Sequence, residues 1–484
     1  MLIPTPNPIV LAQGVLSYFP SDDQKTTRAE RVAVIIPVFN EEKEICQTID
    51  AVLEQTRLPD VLVISENGSR DRTREIITEC LADHNVTHQG SEEFQGVRVT
   101  KYAIGICEIL LIEHDKKTGK AISMNFAKTL MRRRGLQRVI AIDSDTRLTP
   151  TLIQRLMDDF YVIRCINHSN YEIHERCLVG GIVESKKEQG TGIVGELTHR
   201  ARCAIHDSTE YLLRGGENKT AGLVMPGCCY GIALEDLDIP ERTVTEDMDF
   251  TWKMQVAPEQ RRSLTLPDVR EMGFLFDGNP LADFLESKGQ QSIELVKTSK
   301  AYYDIRAVAH TPTPGTIKGL HRQLDRWTYG FIQSMILHNG QLFKNIYLAT
   351  LVFVGLMLGL WGSIITLAIP AILLADFSTG NGTEYLQAGA LIVATQMALY
   401  GGFIFFGSLR RHRTLGRTNP KAILHAFHDT TITLVPACMY GWFHSLILLR
   451  STIRGLMDIM RGRMNAYDGT WVRPTDRVSY EPTK

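Results

Sequence analysis

Two aspartates one residue apart, Asp143 and Asp145, close the unbroken apolar run 139–142. Such a run fits a strand buried on both faces. Carboxylates at its C-terminal end sit where open α/β sheets bind their ligands. That spacing suits a hard divalent cation that also holds phosphate oxygens; the plainer role is a solvated turn with a helix cap. A second acidic set, Glu246, Asp247 and Asp249, follows Thr245 and leads into Phe250, Trp252 and Met254. It suits a helix capped by Thr245 with acids in its first turn, or a general base aimed at a substrate hydroxyl. A third set, Gln323, Arg326 and Trp327, has i, i+3 and i, i+4 spacing and shares one helix face. The stretch 224–231 holds Gly227 and Cys228 between apolar flanks. It reads as an ordinary turn, or as one that lets backbone approach a ligand.

The elements that must position these residues alternate along the chain. Apolar runs at 32–36, 61–64 and 109–112 read as strands, with further strands at 97–99, 102–106 and 178–183. Ile45, Ile49, Val52 and Leu53 have helical spacing, a second helix starts at Asp71, and a third runs from Gly119 and Lys120 to Arg134. A helical crossing is expected over 190–202. Alternating strands and helices imply a parallel, helix-covered sheet. No GxGxxG follows a strand, and Gly119-Lys120 lacks the other Walker A residues, so dinucleotide and P-loop folds lose support. Residues 1–30 read as an irregular lead-in, 31–315 as the α/β domain, and 257–300, broken by Pro258, Pro267 and Pro280, as a polar surface excursion.

At 484 residues the chain has room for two or three domains. A net charge of −1 gives no basic field for nucleic acid. Nine cysteines without a CxxC pair read as reduced, structural thiols facing a reducing compartment. The N-terminus lacks a secretory signal, and the mildly apolar 10–19 is too short to span.

The C-terminal third is densely apolar. A helix opening at Thr316 carries Ile317, Leu320, Leu324, Trp327, Phe331 and Met335 on one stripe, so 316–343 reads as an interfacial helix. Within 344–456, the stretches 346–374, 386–406 and 431–449 read as membrane spans. The 375–385 loop holds Asp376 and Glu384 and no Lys or Arg, whereas 409–421 holds Arg410, Arg411, Arg413, Arg417 and Lys421. The positive-inside rule then puts the second loop and the α/β domain in the cytoplasm. A full third span would leave Arg461 and Arg463 outside. A re-entrant hairpin broken at Pro436 keeps the tail 457–484 inside, and that arrangement is expected.

Taken in order, Val34 to Glu42, Gly119 to Ala121 with Asn125, Asp143 to Asp145, Thr245 to Asp247, and Gln323 to Trp327 resemble the motifs of family 2 glycosyltransferases with C-terminal membrane helices. That group includes the poly-N-acetylglucosamine, hyaluronan, chitin and cellulose synthases; the basic tail with Trp471 is most similar to the first. The resemblance covers most of 31–475. It implies a GT-A fold and a nucleotide-sugar donor, usually a UDP-sugar. Pro37, Phe39, Asn40, Glu66, Lys120 and Asp143 would bind the nucleotide. Asp145, with Asp143, would hold Mg²⁺ or Mn²⁺. Asp247, beside Glu246, would be the catalytic base. Gln323 and Arg326 would hold the diphosphate, Trp327 would stack on the acceptor sugar, and Gly227 and Cys228 would lie near it. It further implies an integral, multi-pass plasma-membrane protein extending a β-linked polysaccharide among membrane lipids, with a small membrane subunit as a possible partner. Transfer of one sugar to a lipid acceptor is the alternative. A silent scaffold is disfavoured because the acidic and Gln323/Arg326/Trp327 sets are intact. Three departures stand out: Glu66-Asn67 replaces an Asp-Asp pair, membrane helices ahead of the α/β domain are lacking, and the span from Asp247 to Gln323 is long.

Overall fold

The computed structural model describes residues 24–167, 170–187, 192–206, 209–211, 214–218, 221–353, 356–357, 360 and 382–461. Its strands are β1 (Gln24–Arg28), β2 (Val32–Val38), β3 (Val61–Glu66), β4 (Thr87–Phe94), β5 (Val97–Ile104), β6 (Cys107–Glu113), β7 (Arg138–Ile142) and β8 (Arg147–Leu148). They continue with β9 (Tyr161–Asn167), β10 (Asn170–Lys186), β11 (Cys229–Ala233), β12 (Gln260–Thr265), β13 (Phe274–Phe276), β14 (Asn279–Pro280) and β15 (Ser292–Pro312). The centre runs β7-β2-β3-β6, all parallel. Antiparallel β11 flanks β7, and β10 pairs with both β11 and β15.

The unbroken apolar runs are explained by burial on both faces. In β2, Val32, Val34 and Ile36 enter one core cluster and Ala33 and Ile35 the other, as two-residue alternation requires. Helices α1 (Ile45–Leu53) and α2 (Thr73–Asp83) cover the first face with Ile45, Ile49, Val52 and Ile77. Helix α3 (Lys120–Arg133) covers the second with Met124, Ala127, Leu130 and Met131. Farther along lie α4 (Leu152–Asp158) and α5 (Ile193–His206). The result is a Rossmann-like mixed sheet with a parallel centre and antiparallel flanks.

Two expectations are corrected. The lead-in contributes β1, which pairs with β9 and β13. The 257–300 excursion is folded into the body: after α6 (Glu246–Gln255), β12 pairs with β15, and α7 (Leu266–Glu271) and α8 (Leu281–Ser287) follow. Thr265 and Asp268 form a reciprocal capping box at the start of α7. Leu264, Val269, Phe274, Leu281 and Leu285 are all buried in the first core cluster. Each element holds so few apolar residues that no period could register in the sequence.

Helix α9 (Ile317–Leu337) starts as expected, with Thr316 Oγ1 accepting from Gly319 N–H at 3.1 Å. Its stripe, however, faces protein. Leu320 and Leu324 pack with Tyr440 and Ile447, and Phe331 sits edge-on to Trp252 at 5.6 Å. The partner helix is α11 (Asn419–Met460), which follows α10 (Gly382–Thr414). α11 passes through Pro436 without a break, so the proline-broken hairpin is not formed. One helix among the described residues, Asn419–Asp458, is long and apolar enough to cross a membrane by length and composition. Most of the expected 346–374 span, and the tail beyond 461, lie outside the described residues.

Candidate active site

A cleft of about 740 Å³ opens at the C-terminal ends of β2, β3 and β7. Sheet order sets its long axis. Pro37, Phe39 and Asn67 come from the β2 and β3 end, Asp143 and Asp145 follow β7, Cys228 precedes β11, and Val183 and Pro312 come from β10 and β15. Neighbouring strands are about 4.8 Å apart, so β2 and β10 lie roughly 14 Å apart across the cleft.

Lys120, at the start of α3, is the hub. Its Nζ lies 2.6 Å from Asp143 Oδ1, 3.0 Å from Glu246 Oε1 and 3.4 Å from Gly227 O. Burial works against its charge, but Asp143, Glu246 and Asp247 outweigh that and hold the ammonium protonated well above its usual range. Asp145 is in the opposite condition. Burial, then the charge of Asp143, pushes its pKa up to about 7. Glu41 rises to about 8 through burial, then Asp145 and Asp143. Three carboxylates crowded in a cleft, two of them resisting ionisation, fit a divalent cation, whose charge would reverse that repulsion.

Thr245 occupies the N-cap position of α6, but its side chain makes no cap hydrogen bond. It packs against Gly330 of α9, where any larger residue would collide with it. The expected hydroxyl cap is therefore replaced by a helix–helix contact. The two carboxylates that follow diverge. Burial opposes the Glu246 charge, yet Lys120 wins and lowers its pKa. Asp247 is raised to about 6, by burial first and then by Glu246. Asp247 also packs on Gly227, where an added Cβ would lie 2.9 Å from its Oδ2. The close approach at Gly227 is thus to the Asp247 side chain. One carboxylate is held ionised by its ion pair with Lys120 and its neighbour ionises less readily, a separation that acid–base chemistry can use.

From α9, Gln323, Arg326 and Trp327 all reach the cleft. Gln323 Oε1 is buried without a hydrogen-bond partner. The Arg202 guanidinium of α5 sits over the Trp327 ring at 4.9 Å, a cation–π contact. That indole face is therefore partly covered.

Two expected nucleotide residues do not line the cleft. Glu66 is fully buried; its carboxylate accepts from Ser69 N–H at 2.5 Å and pairs with Arg74. It shapes the turn, and Asn67 lines the cleft instead. Asn67 Oδ1 accepts from Thr118 N–H at 2.7 Å and from the Thr118 hydroxyl at 2.6 Å. Gly68 has φ of +70°, and a Cβ there would sit 2.6 Å from the Lys116 carbonyl carbon, so the turn requires glycine. Asn40, at φ 55°, is exposed. Its N–H donates to Ser69 Oγ and its Oδ1 accepts from Arg70 N–H, both at 2.9 Å, stapling one turn to the next. Sequence reasoning missed Glu41, Lys117, Arg202, His206, Glu210 and Arg214 as lining residues. For Glu41, its position just after the β2 strand end was an available signal; the others carry none.

Residues 33–166 match the family model for glycosyl transferase family 2. No curated protein matches the chain. Among solved structures, the mannosyltransferase PcManGT from Pyrobaculum calidifontis, in complex with GDP-Man and Mn²⁺, is 13% identical, with coverage of 93% of this chain and 94% of that one and a TM-score of 0.44. S. aureus TarS is 12% identical, covering 65% and 43%, at 0.28. Glucosyl-3-phosphoglycerate synthase from Mycobacterium tuberculosis, in complex with Mn²⁺, UDP and phosphoglyceric acid, is 15% identical, covering 51% and 67%, at 0.26. Scores this low transfer no property from one chain to another.

Proposed function

We propose that this chain is a metal-dependent, inverting glycosyltransferase that moves a sugar from a nucleotide-sugar, of the UDP type, to a growing β-linked glycan at a membrane. The observation that carries the reading is convergence. Asp143, Asp145, Lys120, Glu246, Asp247, Gln323, Arg326 and Trp327 come from four separate parts of the chain and line one cleft.

In this reading Phe39 and Asn67 flank the nucleotide at the β2–β3 end. Asp145 and Asp143 would hold Mg²⁺ or Mn²⁺, which would supply positive charge to offset that of the leaving diphosphate. Lys120 keeps Asp143 in place, and Arg326 with Gln323 meets the phosphate oxygens. Asp247 takes the acceptor hydroxyl proton as that oxygen attacks the anomeric carbon from the face opposite the diphosphate. A single displacement inverts the centre, so an α-linked donor yields a β-linked product.

A second acceptor class has its own support. α11 exposes Leu424, Phe427, Val435, Met439, Leu446 and Ile453, while its other side packs on α5 and α9, which line the cleft. On this reading the acceptor is a lipid drawn from the layer against that face. On either reading α10 and α11 anchor the chain in a membrane, with the α/β domain cytoplasmic. The test is incubation with a panel of radiolabelled nucleotide-sugars. Size-excluded polymer supports the glycan acceptor, and a single lipid-extractable product supports the lipid acceptor. Failure to cleave any donor overturns both.

A further inference from the structure

Outside the cleft lining, on the first two turns of α1 and the C-terminal end of α2, lies a second cluster with metal-ligand chemistry. Cys46 and Asp50 share one face of α1 at i, i+4. Cys80 and His84 repeat that spacing on the last turn of α2 and its C-cap. One donor atom each from Cys46, Asp50 and Cys80 lies within 4.8 Å of the other two. Cys80 Sγ is 3.5 Å and Cys46 Sγ is 3.9 Å from Asp50 Oδ1. A tetrahedral zinc with Zn–S near 2.3 Å and Zn–O near 2.0 Å sets a sulfur–oxygen edge of about 3.5 Å. His84 Nε2 is 2.7 Å from the same carboxylate oxygen. The Cys80 thiol is buried, while His84 and Asp50 are only partly covered, with side chains 27% and 38% exposed. That leaves an entry route for an ion. Both cysteines are free.

We propose that Cys46, Cys80 and Asp50 form a zinc-class metal site that ties α1 to α2, with His84 hydrogen-bonded to the Asp50 carboxylate. Each thiol gives up its proton to solvent as its sulfur becomes a ligand; Asp50 is the third donor, water takes the fourth position, and His84 orients the Asp50 carboxylate. The placement gives the site a purpose. α1 follows the loop with Phe39 and Glu41, and α2 follows the turn with Asn67, both lining the cleft. The two loops are laced by Asn40 to Ser69 and Arg70, and by Glu41 N–H to Thr73 Oγ1 at 2.8 Å. A clasp between α1 and α2 fixes the angle at which those loops meet.

The test uses the full chain purified under reductant, dialysed against a chelator and titrated with Co²⁺. Tetrahedral thiolate ligation gives an intense near-ultraviolet charge-transfer band, which an all-carboxylate site in the cleft cannot produce. The expected result is that band at one equivalent, bleached by stoichiometric Zn²⁺. It is lost in both Cys46→Ser and Cys80→Ser, weakened roughly 10–100-fold in affinity in His84→Ala, and retained in Asp145→Asn. Zinc removal is expected to lower the melting temperature. Absence of the band in the native chain overturns the site. So does its survival in both cysteine variants, or a metal-free Cys46–Cys80 disulfide in protein prepared without reductant.

Discussion

Asp247 and Glu246 are adjacent yet placed in different electrostatic company, and on the proposed reading that contrast makes Asp247 the base. If Asp247 is the base, Asp247→Asn lowers turnover by about 10²–10⁴-fold with donor KM nearly unchanged, measured by initial rates. The sign of the pH dependence follows from its raised pKa. The base must be ionised, so the rate is held above about pH 6 and lost as pH falls through that value. An unperturbed aspartate would place the acid limb near 4. Gly227→Ala separates position from presence. A Cβ 2.9 Å from Asp247 Oδ2 displaces the carboxylate without removing it. Turnover is expected to fall by up to about 10²-fold, with the melting temperature within a degree or so of the parent.

At the scale of elements, the strand that delivers Asp143 and Asp145 is anchored at its other end. Arg138 opens β7, is 2% exposed, and pairs with Glu30, with Glu175 at 2.9 Å, and with the Tyr161 hydroxyl. Phe160 lies 4.2 Å beneath its guanidinium. Removing one partner of such a buried pair typically costs about 3–5 kcal/mol. Glu175 remains in Glu30→Gln, so a loss near 3 kcal/mol is expected by urea denaturation. This anchor also marks the limit of what the sequence discloses. The Asp143 and Asp145 turn was legible because strand, acids and spacing are local. The partners of Arg138 come from three distant segments, and no local pattern announces them. Glu66 was misread for a related reason. A carboxylate at the last residue of a strand points to either face, and only the Arg74 and Ser69 contacts decide that it turns inward. Arg202, His206, Glu210 and Arg214 escaped notice because cleft walls are made by tertiary packing, not by motif.

For the whole molecule, the helices after residue 316 do two jobs. α11 covers the stripe of α9 that presents Gln323, Arg326 and Trp327, and Asp325 reinforces the contact through Ser451 Oγ at 2.8 Å and Arg454 at 3.6 Å. On the hairpin side, Arg411 of α10 reaches Glu184 of β10 at 3.0 Å, so the basic end of α10 touches the α/β domain. The sequence indicated a membrane region through apolar length alone, but length cannot say which face is covered by protein. On the proposed reading, the face of α11 left uncovered contacts lipid. The chain should then sediment with membranes and resist high-salt and alkaline extraction, whereas quantitative release by salt would contradict membrane insertion.

The central claim is that one cleft cleaves a nucleotide-sugar through Asp145 and Asp247. The most direct measurement is nucleoside diphosphate release by the purified chain, with each candidate donor and Mn²⁺ or Mg²⁺, in parent, Asp145→Asn and Asp247→Asn proteins. The expected result is acceptor-dependent release with one donor class that is abolished by EDTA and by Asp145→Asn. Asp247→Asn should retain donor binding but lose at least about 10²-fold in rate. Release at parental rates in both variants would contradict the account.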